Sequence, residues 1–303
     1  MQDHQTHKAR AILLMLLSAA FFSFMSMFIK LSGDIPSMEK AVFRNLVSLI
    51  IAFSILRYRR QSLWGSRANR KFLLLRSIFG GIAIILYFYS IDHLILADSA
   101  MLNKLSPFFV LLFAAIFLKN PIRPFHLLSL FFAMAGAVLI IKPGFNFTSL
   151  APAIAGLTAA FMAGITYTII SYLGGKENSY TIVFFFSLVS TIICLPFLFF
   201  DPVMPTFTQL VFLILAGSMA AGGQILLTAS YRFAPAGEVS IYQYSQIVIS
   251  SILGIFVFSE LPDYLSIIGY ILIFTGGYLM YLRGRRFSPR APSQDSGHTA
   301  GSH

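Results

Sequence analysis

Residues 98–121, DSAMLNKLSPFFVLLFAAIFLKNP, are long and apolar enough to cross a bilayer, yet they place Asn103 and Lys104 inside the crossing and Pro107 just beyond. A cation in hydrocarbon is costly and must face protein or a water-filled cavity, so this segment needs one side turned toward a polar interior. The same order returns in residues 238–262, EVSIYQYSQIVISSILGIFVFSELP: acidic start, polar first half, apolar second half, a short polar break and a proline. The two copies lie about 140 positions apart, roughly half the chain, which is the internal symmetry of membrane carriers built from related halves.

A bilayer core of about 30 Å needs about 20 apolar residues per helix. Ten runs meet that need, near 11–31, 39–56, 72–91, 97–118, 123–141, 150–173, 180–200, 206–230, 237–258 and 264–282. Composition agrees: 57% of residues are hydrophobic, 11% are charged and the mean hydropathy is +0.79, outside the range of an average soluble domain. Alternating segments of about ten residues, the mark of a β-barrel, are absent. The expected fold class is an all-α membrane protein of ten transmembrane helices. Its five-helix halves fall at 11–143 and 144–283, after a cytoplasmic tail 1–10 and before a small, polar tail 284–303 expected to be disordered.

The net charge of +11 raises the question of nucleic acid, but the basic residues follow the loops and form no basic domain. Lys8 and Arg10 precede the first run; Arg57, Arg59, Arg60, Arg67, Arg70 and Lys71 fill the second connection. Lys119 and Arg123 sit in the fourth, Lys176 in the sixth, Arg232 in the eighth, and Arg283, Arg285, Arg286 and Arg290 follow the tenth run. The alternate connections carry Asp34, Glu39, Asp92, Asp201, Glu260 and Asp263, with Lys40 and Lys142 as their basic members. This asymmetry predicts a multi-pass protein of the cell (inner) membrane with both termini cytoplasmic. The expected partners are a small-molecule substrate and membrane lipids, with no nucleic acid, in a monomer or homodimer. The first run is too long, and lacks the small-residue cleavage site, for a removable signal peptide. The lone Cys194 supports neither a disulfide framework nor a cysteine metal site, and no cofactor or metal is expected.

Candidate site residues are polar groups too deep to reach the interface. Arg44 and Asn45 lie more than a turn inside the second run. Arg76, Gly80, Ala83 and Tyr87 share one face of the third, where Arg76 is near enough to the loop to snorkel and Tyr87 either lines a cavity or joins an aromatic belt. On the fourth run Asn103 and Lys104 lie about 100° apart, and Pro107 leaves the Asn103 carbonyl without its helical partner. Gln224 shares a face of the eighth run with Gly217, Thr228 and Tyr231. In the ninth run Glu238, Tyr242, Gln246 and Ser250 follow at successive four-residue steps, with Gln243 alongside, as one polar stripe. Amides both donate and accept, and tyrosine adds a flat apolar face, so Tyr242, Gln243 and Gln246 are expected to discriminate among substrates. Glu238 and Asp98 are the carboxylates available for proton coupling. Lys104 could alternatively pair with Asp98 or Glu238 and staple helices.

The chain resembles the drug/metabolite transporter superfamily, in particular its EamA-type members, over nearly all of residues 11–282. The resemblance rests on AVFRNLVSLI in the second run, on the paired endings LSPFFVLLFAAIFLKNP and IVISSILGIFVFSELP, and on the Gly-rich continuations AMAGAVLIIKPG and FTGGYLMYLRG. It implies two inverted five-helix repeats with a central cavity between helices 3, 4, 8 and 9, and helices 1, 2, 6 and 7 outside them. Lys119-Asn120 stands where members commonly carry an acidic residue, and Lys104 in the polar half is a second departure. Members move amino acids, nucleotide-like metabolites, vitamins and S-adenosylmethionine, so the fold does not choose a substrate.

An enzyme would need paired carboxylates, HExxH, GxSxG or a serine beside a histidine, and none of these occurs; a GxxxxGK[ST] loop is also missing. A non-catalytic channel or lipid-handling protein fits the repeat less well than halves that rock against each other. The expectation is therefore a secondary active carrier, not an enzyme. It would export small polar, carboxylate-bearing metabolites such as amino acids by alternating access. Uptake of S-adenosylmethionine, a nucleoside or a vitamin, proton-coupled or by exchange, is the alternative.

Overall fold

The computed structural model describes residues 2–93, 102–141, 150–199, 203–259 and 262–286. The long helices are α1 (Gln2–Leu31), α2 (Ser37–Tyr58), α3 (Arg70–His93), α6 (Leu150–Leu173), α8 (Phe207–Phe233) and α10 (Tyr264–Arg286). With the segmented α9 (Ala236–Phe258) they are the seven long and apolar enough to cross a membrane. Shorter apolar helices fill the remaining places: α4 (Ser106–Leu118), α5 (Pro124–Ile141) and α7 (Ser179–Cys194).

The local sequence accounts for most of these limits. Residues 2–10 contain neither Gly nor Pro, and α1 continues through them; the expected N-terminal tail is helical. Pro196 cannot donate to the helical ladder, and α7 passes at Cys194 into a 3-10 turn, Leu195–Phe199. Asn178 caps α7 by accepting from the Tyr180 amide, and Thr206 with Gln209 forms a reciprocal capping box on α8.

Packing follows a two-fold rule. The principal helix contacts are α1 with α8, α3 with α6, α2 with α7, α5 with α10, α3 with α7, α2 with α8, α4 with α6 and α1 with α9. Exchanging each helix for the one five places away turns this set into itself: α1–α8 becomes α6–α3, and α4–α6 becomes α9–α1. Each half therefore completes its packing only against the other, as a pair of repeats requires. At the α5–α10 contact backbone meets backbone. A Cβ on Gly136 would come within 2.5 Å of the Gly269 carbonyl, and one on Gly269 within 2.6 Å of the Gly136 carbonyl, so only glycine lets these backbones touch.

The two ends of the bundle differ in charge. Lys8 of α1 forms an ion pair with Glu238 of α9, Arg10 lies over Phe233, Arg59 over Tyr180 and Lys176 over Tyr172. Glu177 accepts from Ser66 N and Asn69 Nδ2, both at 2.8 Å. These contacts gather the basic connections at one end. At the other, Glu39 accepts from Val203 N at 3.2 Å. Between the ends the outer surface is apolar, with Phe117, Phe131, Phe256 and Phe274 all more than two-thirds exposed or nearly so (68%, 67%, 82% and 68%). Such a belt has its solvent in lipid.

Candidate functional site

Both polar-first segments are broken where the sequence places their polar halves. Residues 104–105 form a turn, and α4 starts at Ser106 with Pro107 in its first turn, where a missing N–H costs nothing. In α9 a single helical turn, Ala236–Val239, gives way to a 3-10 segment, Ser240–Tyr244, and the helix resumes at Ser245. Both half-helices end on left-handed residues, Lys119 and Ser259. Unwound backbone at membrane depth must find partners within the protein. The Tyr244 hydroxyl donates to the Lys104 carbonyl at 2.7 Å, Ser245 Oγ to the Tyr242 carbonyl at 2.6 Å, and the Tyr242 hydroxyl to the Gly277 carbonyl at 3.2 Å. The Lys104 carbonyl, one residue beyond the Asn103 carbonyl that Pro107 cannot donate to, thus takes its partner from the other half.

The break also corrects the expected stripe on α9. A 3-10 segment turns about 120° per residue instead of 100°, so four-residue steps no longer stack. Glu238 meets Lys8 at the basic end, Tyr242 points to α10, Gln243 Nε2 donates to the Tyr231 hydroxyl at 2.8 Å, and Gln246 Oε1 accepts from Lys104 Nζ at 3.0 Å. Of the residues chosen on this helix, Gln243 and Gln246 enter the interior, while Tyr242 and Glu238 contact elements outside it.

The other chosen residues form two groups. In the first, Tyr87 and Asn103 interact through their side chains, next to Lys104 and Gln246. In the second, Arg44 Nη1 donates to Asn45 Oδ1 at 3.2 Å and Arg44 Nε lies 3.3 Å from Met25 Sδ, while Asn45 Nδ2 is 4.0 Å from Cys194 Sγ. Tyr167 of α6 faces Arg44 electrostatically and stands 6.0 Å, ring to ring, from Tyr231. Gln224 is buried on α8, two turns before Tyr231 on the same side. Arg44, Tyr87, Asn103, Lys104, Tyr167, Gln243 and Gln246 retain accessible surface although Arg44, Tyr87, Lys104 and Tyr167 are surrounded by protein. Asp98 lies outside the described residues.

Arg76 is the residue that sequence reasoning discounted. It is 0% exposed, its guanidinium carbon sits 3.8 Å over the Phe186 ring, and it shares Tyr167 with Arg44. Its Nε and Nη1 have no hydrogen-bond partner among the described residues. A desolvated cation–π contact is worth about 2 kcal/mol, against several kcal/mol for burying the ion. Phe186 alone therefore does not offset the burial. Its place on the face of Gly80 and Tyr87 was the available signal; what the sequence hides is that α6 and α7 both cover this end of α3.

Lys104, Arg44 and Arg76 have no carboxylate within ion-pair distance among the described residues. Glu39 and Glu238 are engaged elsewhere. Among the described residues the interior side chains are thus cations, phenols and amides with no paired carboxylate. They are suited to hold an anionic group by charge-assisted hydrogen bonds.

The model of the EamA-like transporter family matches residues 9–142 and again 150–282. The chain is 33% identical over 265 residues to the pseudopaline exporter CntI of Pseudomonas aeruginosa strain UCBPP-PA14, covering 86% of this chain and 92% of that one. It is 29% identical over 273 residues to human solute carrier family 35 member G1, covering 85% and 75%. A crystal structure at 16% identity superposes with a TM-score of 0.82, over 93% of this chain and all of its own; that likeness concerns the fold alone.

Proposed function

Because the chain belongs to the EamA-like transporter family, we propose that it is a secondary active carrier that exports small polar, carboxylate-bearing metabolites, amino acids among them, by alternating access of its two halves. The observation that carries this reading is the cationic interior: Arg44 and Lys104 reach accessible space with no carboxylate paired to them among the described residues. A substrate carboxylate supplies the missing charge, and Gln243, Gln246, Asn103 and Tyr87 supply neutral donors and acceptors around it. Outward direction is supported by the relative named as an exporter. The gathering of basic connections at one end supports an inner-membrane orientation with both termini cytoplasmic. Coupling falls to Glu238 or Asp98.

The test is efflux from proteoliposomes loaded with labelled amino acids and organic acids, with Lys104→Ala beside the wild type. Carboxylate efflux lost in the variant supports the reading. Transport of a purely cationic compound, unchanged by Lys104→Ala, overturns it, and accumulation against a gradient in expressing cells without efflux overturns the direction.

A further inference from the structure

The interior cations do not form one group. Lys104 of the fourth-helix break donates to Gln246 Oε1 at 3.0 Å, whereas Arg44 donates to Asn45 and Arg76 lies over Phe186. Arg44 and Arg76 lie within electrostatic reach of each other and of Tyr167, on the side formed by α2, α3, α6 and α7. Two like charges held close together in a dry region oppose each other, so that pole is short of negative charge.

Its surroundings are built to donate. Arg76 Nε and Nη1, Thr166 Oγ1 and Ser190 Oγ are all buried without a hydrogen-bond partner among the described residues. Their residues pack along the glycine pair of α3: a Cβ on Gly80 would lie 2.8 Å from the Phe186 ring that carries Arg76 and 3.5 Å from the Thr166 methyl, and one on Gly81 3.5 Å from Ser190 Oγ. Buried donors beside an unpaired cation gain partners when an anion arrives. Arg44 keeps accessible surface and gives that site its mouth, while Arg76 is sealed behind it. Tyr167 stands 6.0 Å from Tyr231, whose hydroxyl accepts from Gln243, and Tyr87 pairs with Asn103, the neighbour of Lys104 in sequence.

We propose that Arg44 and Arg76 form a second carboxylate-binding pole, opposite Lys104, and that the transported compound carries two anionic groups, one for each pole. This rests on the reading of the interior as a carboxylate site and specifies it.

The probes are the straight-chain diacids from succinate to suberate and their monomethyl esters, which keep length and remove one charge. Binding to the purified protein is measured by competition and by thermal shift. At one chain length the diacid binds roughly tenfold or more tighter than its monoester. Arg44→Gln and Arg76→Lys, the second of which keeps the charge and removes the planar fork, bring the diacid down to the level of the monoester. Lys104→Gln weakens the diacid as well. If monoesters bind as tightly as diacids at every length, or if both arginine variants leave the ratio unchanged, the second pole does not exist. If in that case monoesters and diacids both bind in a Lys104-dependent way, the carboxylate reading stands and only this inference falls. Failure of every carboxylate, with a cationic compound bound instead, removes both.

Discussion

The hydroxyl of Tyr244 donates to the carbonyl of Lys104 at 2.7 Å, and the two residues hold the same place in the two halves. Each stands 15 positions before the left-handed residue that ends its half-helix, Lys119 and Ser259. The breaks in the two repeats therefore meet each other, and the side chain from one satisfies the backbone that the other leaves open. Coupling of the halves through this bond gives a direct prediction: Tyr244→Phe leaves a partly buried carbonyl without this donor and lowers stability by about 1 kcal/mol. The drop appears as a lower melting temperature in detergent, with transport slowed more than binding. An unchanged melt and an unchanged rate would show that the bond holds nothing.

Gln246 is the described acceptor for the Lys104 ammonium. Gln246→Leu removes it and leaves the cation with one neutral partner fewer, at a cost of about 1–3 kcal/mol. Compounds that reach Lys104 should compensate, so ligand-induced stabilisation grows in the variant. Gln243→Ala, whose partner is the Tyr231 hydroxyl, should alter the ranking of substrates. If Gln243→Ala and Gln246→Leu both leave every affinity unchanged at normal expression, these amides serve packing alone.

Glu238 tests coupling. It is ion-paired with Lys8 at the basic end, where it joins α9 to α1. Glu238→Gln should abolish flux driven by a pH gradient while leaving substrate exchange intact. Equal loss of both activities, reproduced by Lys8→Gln, would assign the pair to holding the two helices together.

The α5–α10 contact predicts a purely structural variant. Gly136→Leu would drive a side chain into the Gly269 carbonyl and Ile273, the nearest atoms at 2.5 and 2.9 Å. Overpacking of this kind costs about 1–3 kcal/mol or separates the helices. The melt should fall while substrate ranking among surviving molecules is preserved; a changed ranking would place this pair in the binding path.

Sequence reasoning reached the architecture because its signals are local. Runs of about 20 apolar residues, a repeated order of polar and apolar halves, and basic residues in alternate connections each follow from the bilayer as solvent. The break before α4 was announced by Pro107. That in α9 contains no proline, and Tyr-Gln-Tyr-Ser reads equally well as helix, so the stripe drawn through Glu238, Tyr242 and Gln246 assumed a regularity that tertiary hydrogen bonds override. Arg76 was passed over for a similar reason: its distance from the loop is that of a snorkelling side chain, and only the packing of α6 and α7 over α3 closes the route to water.

The central claim is that the interior is cationic because the cargo is not. It is tested most directly by screening a metabolite library by thermal shift on the purified protein, followed by proteoliposome flux of each hit with wild type and Lys104→Ala. A ligand near 100 times its Kd adds about 2.7 kcal/mol of stability, well within reach of the method. The account predicts that stabilising compounds bear carboxylates, are carried by the wild type and lose both effects in the variant. Hits that are cationic or uncharged, carried equally well by both proteins, would contradict it.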